Sequence, residues 1–226
     1  MKKKKKHGTA NFLKSLAPHI LAELRPPTEI KKFTKNSVVI GAYVESAVRE
    51  FVRRQVFPLS VSTGSVIDEE NEPGDPHLPQ LDTIIWTPSP APAVFQVGDF
   101  ALVPRSSSFG ILEIKSSAYK LRSLDDRLSN TFARRFAADV LRGEKSALRG
   151  FVPCLGVICL LMKNQSRKKI TSMTNSGRVV ILFEESGDEI LPRPLDIYRL
   201  VNFLAHLRLR SRVHQGRVGI NVDLLN

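Results

Sequence analysis

The chain has 226 residues, 42% of them hydrophobic, which is enough apolar material for one ordinary domain with a real core. Its 34 lysines and arginines outnumber 22 aspartates and glutamates for a net charge of +12, and a surplus of seven persists without Lys2 to Lys6, a balance that favours polyanionic partners or simply sustains solubility. No stretch has the uninterrupted apolar length of a membrane span, and two cysteines with no neighbouring histidine argue against a disulfide framework or a structural zinc site.

Residues 1–9 read as a disordered basic tail. The lysine run imitates the start of a signal peptide, yet Asn11, Lys14, His19, Glu23 and Arg25 follow where an apolar block belongs, so a soluble, cytoplasmic protein is expected. From Ala10 to Leu24 the apolar positions Phe12, Leu13, Leu16, Ile20, Leu21 and Leu24 recur at helical spacing until Pro26-Pro27 stops them, which makes residues 10–35 an N-terminal helix and linker. Residues 36–226 then read as one domain.

Its first helix starts at Asn36 or Ser37, either of which can cap it, and Pro58 ends it. The stripe Ile40, Val44, Ala47, Val48, Phe51 and Val52 faces a core, with Glu45, Arg49 and Arg53 on the neighbouring face. Alternating β-branched residues from Val61 to Ile67 predict a strand, followed by an acidic loop over Glu69 to Pro79 and a second strand over Gln80 to Thr87. A short hairpin is expected around Gly98-Asp99, and Phe109 to Lys115 is the third main strand.

A basic helix follows Ser117, its stripe Leu121, Leu124, Leu128, Phe132, Phe136 and Val140 turned inward and Arg134 and Arg135 on the outer faces. Cys154 to Met162 and Arg178 to Phe183 are continuous apolar runs, the pattern of strands covered on both faces, separated by a loop carrying Arg167, Lys168 and Lys169. A last helix runs from Pro194 to about Arg210. Cys154 and Cys159 fall on opposite faces of their strand and read as buried thiols in a reducing compartment.

The chemistry concentrates at three positions. Glu113 and Lys115 are two apart on a strand and leave it on one face while Ile114 turns into the core. Hairpin-like pairing with the preceding main strand brings Asp82 beside Glu113. Carboxylates meeting at one point repel each other, and a divalent cation, Mg²⁺ before others, relieves them. Such an ion polarises a phosphodiester and acidifies water, while Lys115 orients that water or neutralises growing charge.

These residues resemble the PD-(D/E)xK nuclease superfamily, in which an aspartate and an ExK element lie on adjacent core strands, as Asp82 and Glu113-Ile114-Lys115 do here. Gly41-Ala42-Tyr43-Val44-Glu45 resembles the G-x-x-x-E of the family's first core helix, and the combination looks like a bacterial subgroup of unassigned function. Leu81 stands where many members have proline. The resemblance implies an α/β, restriction-endonuclease-like mixed sheet flanked by helices, in the order αβββαββα behind an extra N-terminal helix. It further implies Mg²⁺ (or Mn²⁺) held by Asp82, Glu113, the Ile114 backbone carbonyl and Glu45, and a nuclease acting on DNA, with RNA open.

Other roles stay open at each position. Glu45 can pair with Arg49 one turn on, Asp82 can be a strand-start residue, and Glu113 with Lys115 can be an edge-strand ion pair. Arg134, Arg135, Arg167, Lys168 and Lys169 can line a groove for phosphates or form a solvated face. The alternative function is a catalytically silent scaffold that binds nucleic acid or a partner protein, and a homodimer is open too; no membrane partner is expected.

Overall fold

Asn36 closes the first turn of a long helix with its own side chain, Oδ1 accepting the Val38 amide at 3.0 Å, so the capping signal in the sequence is used. The computed structural model describes residues 26–67, 78–117, 152–163 and 179–222 together with Ser15, His19, Leu24, Leu124 and Leu128, with side chains of the last helix described as far as Ser211. A one-turn helix, α1 (Thr28–Lys31), lies where a linker was expected, and the capped helix is α2 (Ser37–Val56). Ile40, Val44, Val48, Phe51, Val52 and Val56 are its buried stripe.

Eight strands follow: β1 (Ser60–Ile67), β2 (Leu81–Trp86), β3 (Phe95–Val97), β4 (Phe100–Pro104), β5 (Ser108–Ser117), β6 (Cys154–Leu161), β7 (Val179–Ser186) and β8 (Glu189–Pro192). They form one sheet in the order β3-β4-β1-β2-β5-β6-β7-β8. The neighbours β1/β2, β2/β5, β3/β4 and β7/β8 are antiparallel, while β1/β4, β5/β6 and β6/β7 are parallel. Helix α3 (Pro194–Val222) closes the described chain and runs well beyond the expected end near Arg210.

The hairpin expected around Gly98-Asp99 forms, with Gly98 at φ 56°, and β4 lays itself parallel to β1 so that the hairpin becomes one edge of the sheet. Strand β1 carries a bulge on its other side. Register against β2 shifts between Ser62 and Gly64, and Gly64 takes φ 133°, a backbone conformation that side chains other than hydrogen resist. Space there is as restrictive as φ, since a Cβ on Gly64 would run into the Ala101 carbonyl. Strand β8 was not expected; it is short and ends on proline, and only Gly187-Asp188 ahead of it hints at a turn.

Each face of the sheet carries its own core. Helices α2 and α3 cover one, where Val44, Val48, Leu200, Leu204 and Leu207 pack on Ile85, Leu112, Ile114, Val157 and Cys159. On the other, Leu124 and Leu128 lie with Val66, Ile84, Trp86, Ile111 and Ile158. Gly156 admits that second layer, because a Cβ there would stand 3.0 Å from Leu128 and 3.1 Å from Leu124. The helix expected after Ser117 is otherwise outside the described residues, as is most of the one expected over 10–24, although Leu24 belongs to the first core.

Cys154 and Cys159 pack on opposite faces, as their spacing predicts, and neither is in a disulfide. Burial pushes the Cys159 thiol well above its ordinary range, with the nearby Glu45 charge adding to the shift, so it stays protonated. Among the described residues no helix is long and apolar enough to cross a membrane.

Candidate active site

Strands β2 and β5 pair through Thr83 opposite Leu112, Ile84 opposite Ile111 and Ile85 opposite Gly110, so Asp82 and Glu113 come next, facing each other where the ladder ends. There a side chain replaces the main chain as acceptor. Asp82 Oδ2 accepts the Ile114 amide at 2.7 Å, a charge-assisted bond that fixes the carboxylate against β5. The Ile114 side chain meanwhile sits in the core under α2 and α3.

Lys115 Nζ donates to Glu113 Oε1 at 2.6 Å and stands 3.8 Å from Asp82 Oδ2. Asp82, Glu113 and Lys115 are therefore brought together as their sequence positions predict. The exposures decide where the cluster opens: the Glu113 side chain is 0% exposed, against 16% for Asp82 and 22% for Lys115, so solvent reaches it from the Asp82 and Lys115 side. The ammonium of Lys115 is a counterion to both carboxylates, and among the described residues no group of three acidic, histidine or cysteine side chains is placed to hold a metal ion.

Glu45 projects from α2 toward the same place. Its carboxyl is held above the usual range, first by burial and then by the charge of Asp82, with Glu113 adding a smaller push and Arg49 and Lys115 opposing it. A carboxyl that responds to all three site residues belongs to their electrostatic neighbourhood. Gly41, one turn earlier, lies alongside: a Cβ there would come no nearer than 3.9 Å to Glu45 Oε1, so space alone does not demand glycine in this G-x-x-x-E.

Three polar residues grip the approach to Asp82. The Thr63 hydroxyl donates to Leu81 O at 2.8 Å, the Ser65 hydroxyl to Pro79 O at 3.0 Å, and Arg49 Nη1 to the Asp82 carbonyl at 2.9 Å. Thr63 and Ser65 lie next to the β1 bulge, where hydroxyls take up carbonyls of residues preceding and starting β2. Sequence reading gave Arg49 only as a helix partner for Glu45 and missed the hydroxyls; its one available signal was the run of small polar residues in an otherwise apolar strand.

Trp86 is 4% exposed and packs within the second core. Arg134, Arg135, Arg167, Lys168 and Lys169 lie outside the described residues.

No protein-family model matches the chain, and no curated protein matches it. Among solved structures, NucC of P. aeruginosa ATCC27853 in its cAAA-bound form superposes with a TM-score of 0.52 at 15% identity, covering 87% of this chain and 90% of that one. NucC of E. coli MS115-1, also cAAA-bound, gives 0.49 at 18% identity over 87% and 89%. The likeness is one of fold: an eight-stranded mixed sheet flanked by helices gives this chain a restriction-endonuclease-like architecture.

Proposed function

We propose that the chain is a divalent-cation-dependent phosphodiesterase that cleaves nucleic acid, DNA in preference to RNA. The reading is carried by the meeting of Asp82, Glu113 and Lys115 where β2 and β5 stop pairing, within a nuclease fold. The donor chemistry fits Mg²⁺ or Mn²⁺: Asp82 and Glu113 already reach one cationic group, and Glu45 adds a third hard carboxylate nearby. Asp82, Glu113 and the Ile114 carbonyl are the assigned ligands, with Glu45 joining directly or through water. The ion's contribution is Lewis-acid polarisation of the phosphodiester and acidification of an attacking water.

The rest falls to the chain's own groups. The Asp82 bond to the Ile114 amide holds one acceptor in place before substrate arrives, which lowers the cost of organising the site. The Lys115 ammonium, at the open side, is the group that orients water or neutralises charge growing on the phosphate. Charge alone assigns Arg134, Arg135, Arg167, Lys168 and Lys169 to a phosphate-binding groove.

The test is cleavage of a panel of single- and double-stranded DNA and RNA with Mg²⁺ or Mn²⁺. Wild type cuts, whereas Glu113→Ala and Lys115→Ala, folded by circular dichroism, do not. Equal cutting by all three proteins overturns the assignment. One observation favours a second reading: Lys115 already neutralises the carboxylates, as in a scaffold that binds without cutting. That reading expects salt-sensitive nucleic-acid binding and no cleavage with any metal.

A further inference from the structure

The main chain of Asp82 is held by a side chain that no part of the proposed chemistry uses. Arg49 sits on α2 one turn beyond Glu45, its side chain only 11% exposed, and its Nη1 donates to the Asp82 carbonyl at 2.9 Å. Its Nε faces Asp99 Oδ2 at 3.9 Å. Asp99, in the turn of the β3–β4 hairpin, is in turn fixed by Arg53 Nη2 at 2.9 Å, and Arg53 also bonds Glu50 on its own helix. The Arg49 guanidinium thus donates a hydrogen bond to the Asp82 carbonyl while the Asp99 carboxylate faces it at ion-pair distance, an electrostatic contact rather than a second hydrogen bond.

This contact stands at an interruption in the pairing of β2. β1 bulges between Ser62 and Gly64, and the last paired residue of β2 toward β5 is Thr83. Asp82 is therefore one residue past the last β2–β5 pair and, on its other side, falls at the β1 bulge between Ile84 opposite Ser62 and Leu81 opposite Gly64, where the Thr63 hydroxyl holds Leu81 O and Arg49 holds the Asp82 carbonyl. The angle of that peptide unit sets where the Asp82 carboxylate points, hence whether Oδ2 meets the Ile114 amide.

We propose that Arg49 is a positioning residue: it clamps the Asp82 peptide unit so that the carboxylate is aimed at the Ile114 amide and the Lys115 ammonium, and Asp99 of the β3–β4 turn keeps the clamp oriented. The role as part of a cleavage site rests on the phosphodiesterase reading. The clamp itself does not, because the Ile114 amide reports the aim of Asp82 in protein without metal or substrate.

The experiment is amide hydrogen exchange on the metal-free full chain, comparing wild type, Arg49→Met, Arg49→Lys and Asp82→Ala. Arg49→Met keeps the aliphatic stem and removes the donors. The Ile114 amide is expected to exchange roughly tenfold faster in Arg49→Met, as in Asp82→Ala, while the Val157 amide in the sheet centre is unchanged; roughly tenfold is what loss of one charge-assisted bond yields. Arg49→Lys recovers part of the protection. Faster exchange throughout the sheet marks Arg49 as a general structural stitch and overturns the proposal, as does wild-type protection of Ile114 in Arg49→Met. Cleavage assays separate the two readings: an altered Ile114 amide in a protein that never cuts leaves the clamp standing and removes the phosphodiesterase.

Discussion

Replacing Lys115 with methionine separates a lysine that merely plugs an acidic site from one that shares it with a metal. The substitution keeps the stem and removes the ammonium 2.6 Å from a fully buried Glu113 and 3.8 Å from Asp82. Deleting one partner of a buried ion pair costs about 3–5 kcal/mol, and the 22% exposure of Lys115 puts this case near the lower end. For a chain of this length about 3 kcal/mol lowers Tm by about 6–12 °C. With Mn²⁺ at about a hundred times its Kd, binding returns about 2.7 kcal/mol, which is most of the loss. Wild type gains less from the ion, because there the ion must first displace the ammonium. Thermal melts with EDTA or Mn²⁺, beside calorimetric titration, read both effects. A Lys115→Met protein that melts with wild type in EDTA, or that gains nothing from Mn²⁺, refutes the idea that ammonium and metal alternate at one place.

Glu45→Gln tests the electrostatics of the third carboxylate. Its folded pKa lies above the ordinary 4.5, so the fold loses stability as pH rises from that value through the folded one, and the whole penalty is present above it. The variant is therefore expected to be more stable than wild type at pH 7 in EDTA and equal to it near pH 4, read from urea midpoints; the same difference at both pH values counts against burial as the cause. Gly64→Ala meets both an unfavourable φ of 133° and the Ala101 carbonyl, and is expected to lose more than about 4 kcal/mol or to yield no folded protein. Gly98→Ala, at φ 56° with nothing nearby, is expected to lose about 1 kcal/mol, and comparable losses at the two positions would contradict the bulge argument.

The legible parts of the molecule were those where one residue's chemistry decides its place. Alternation and apolar runs located β1, β2, β5, β6 and β7, and the two-residue spacing of Glu113 and Lys115 placed both charges on one face beside Asp82. Asn36 and Pro58 bracketed α2 because capping and ring closure act locally. What escaped depends on contacts between distant segments. Nothing within Phe100–Pro104 announces that it pairs in parallel with β1, nor within Arg49 that its guanidinium ends on a carbonyl of β2. The Glu113–Lys115 ion pair was among the sequence readings, but the rotamer of Lys115, which brings its ammonium toward Asp82 as well, is set by the fold.

Because β1, β2 and β5 are sequential antiparallel neighbours, apart from the β3–β4 hairpin, their pairing needs only residues up to Ser117. The parallel partners β6 and β7 come after residues 118–153 and 162–178, long sequence separations whose closure slows assembly. During synthesis Asp82 can thus meet the Ile114 amide while the strand that will flank β5 is still unmade. Contacts formed in that order would give the acidic end of the molecule an early, local folding nucleus, with the apolar centre completed last.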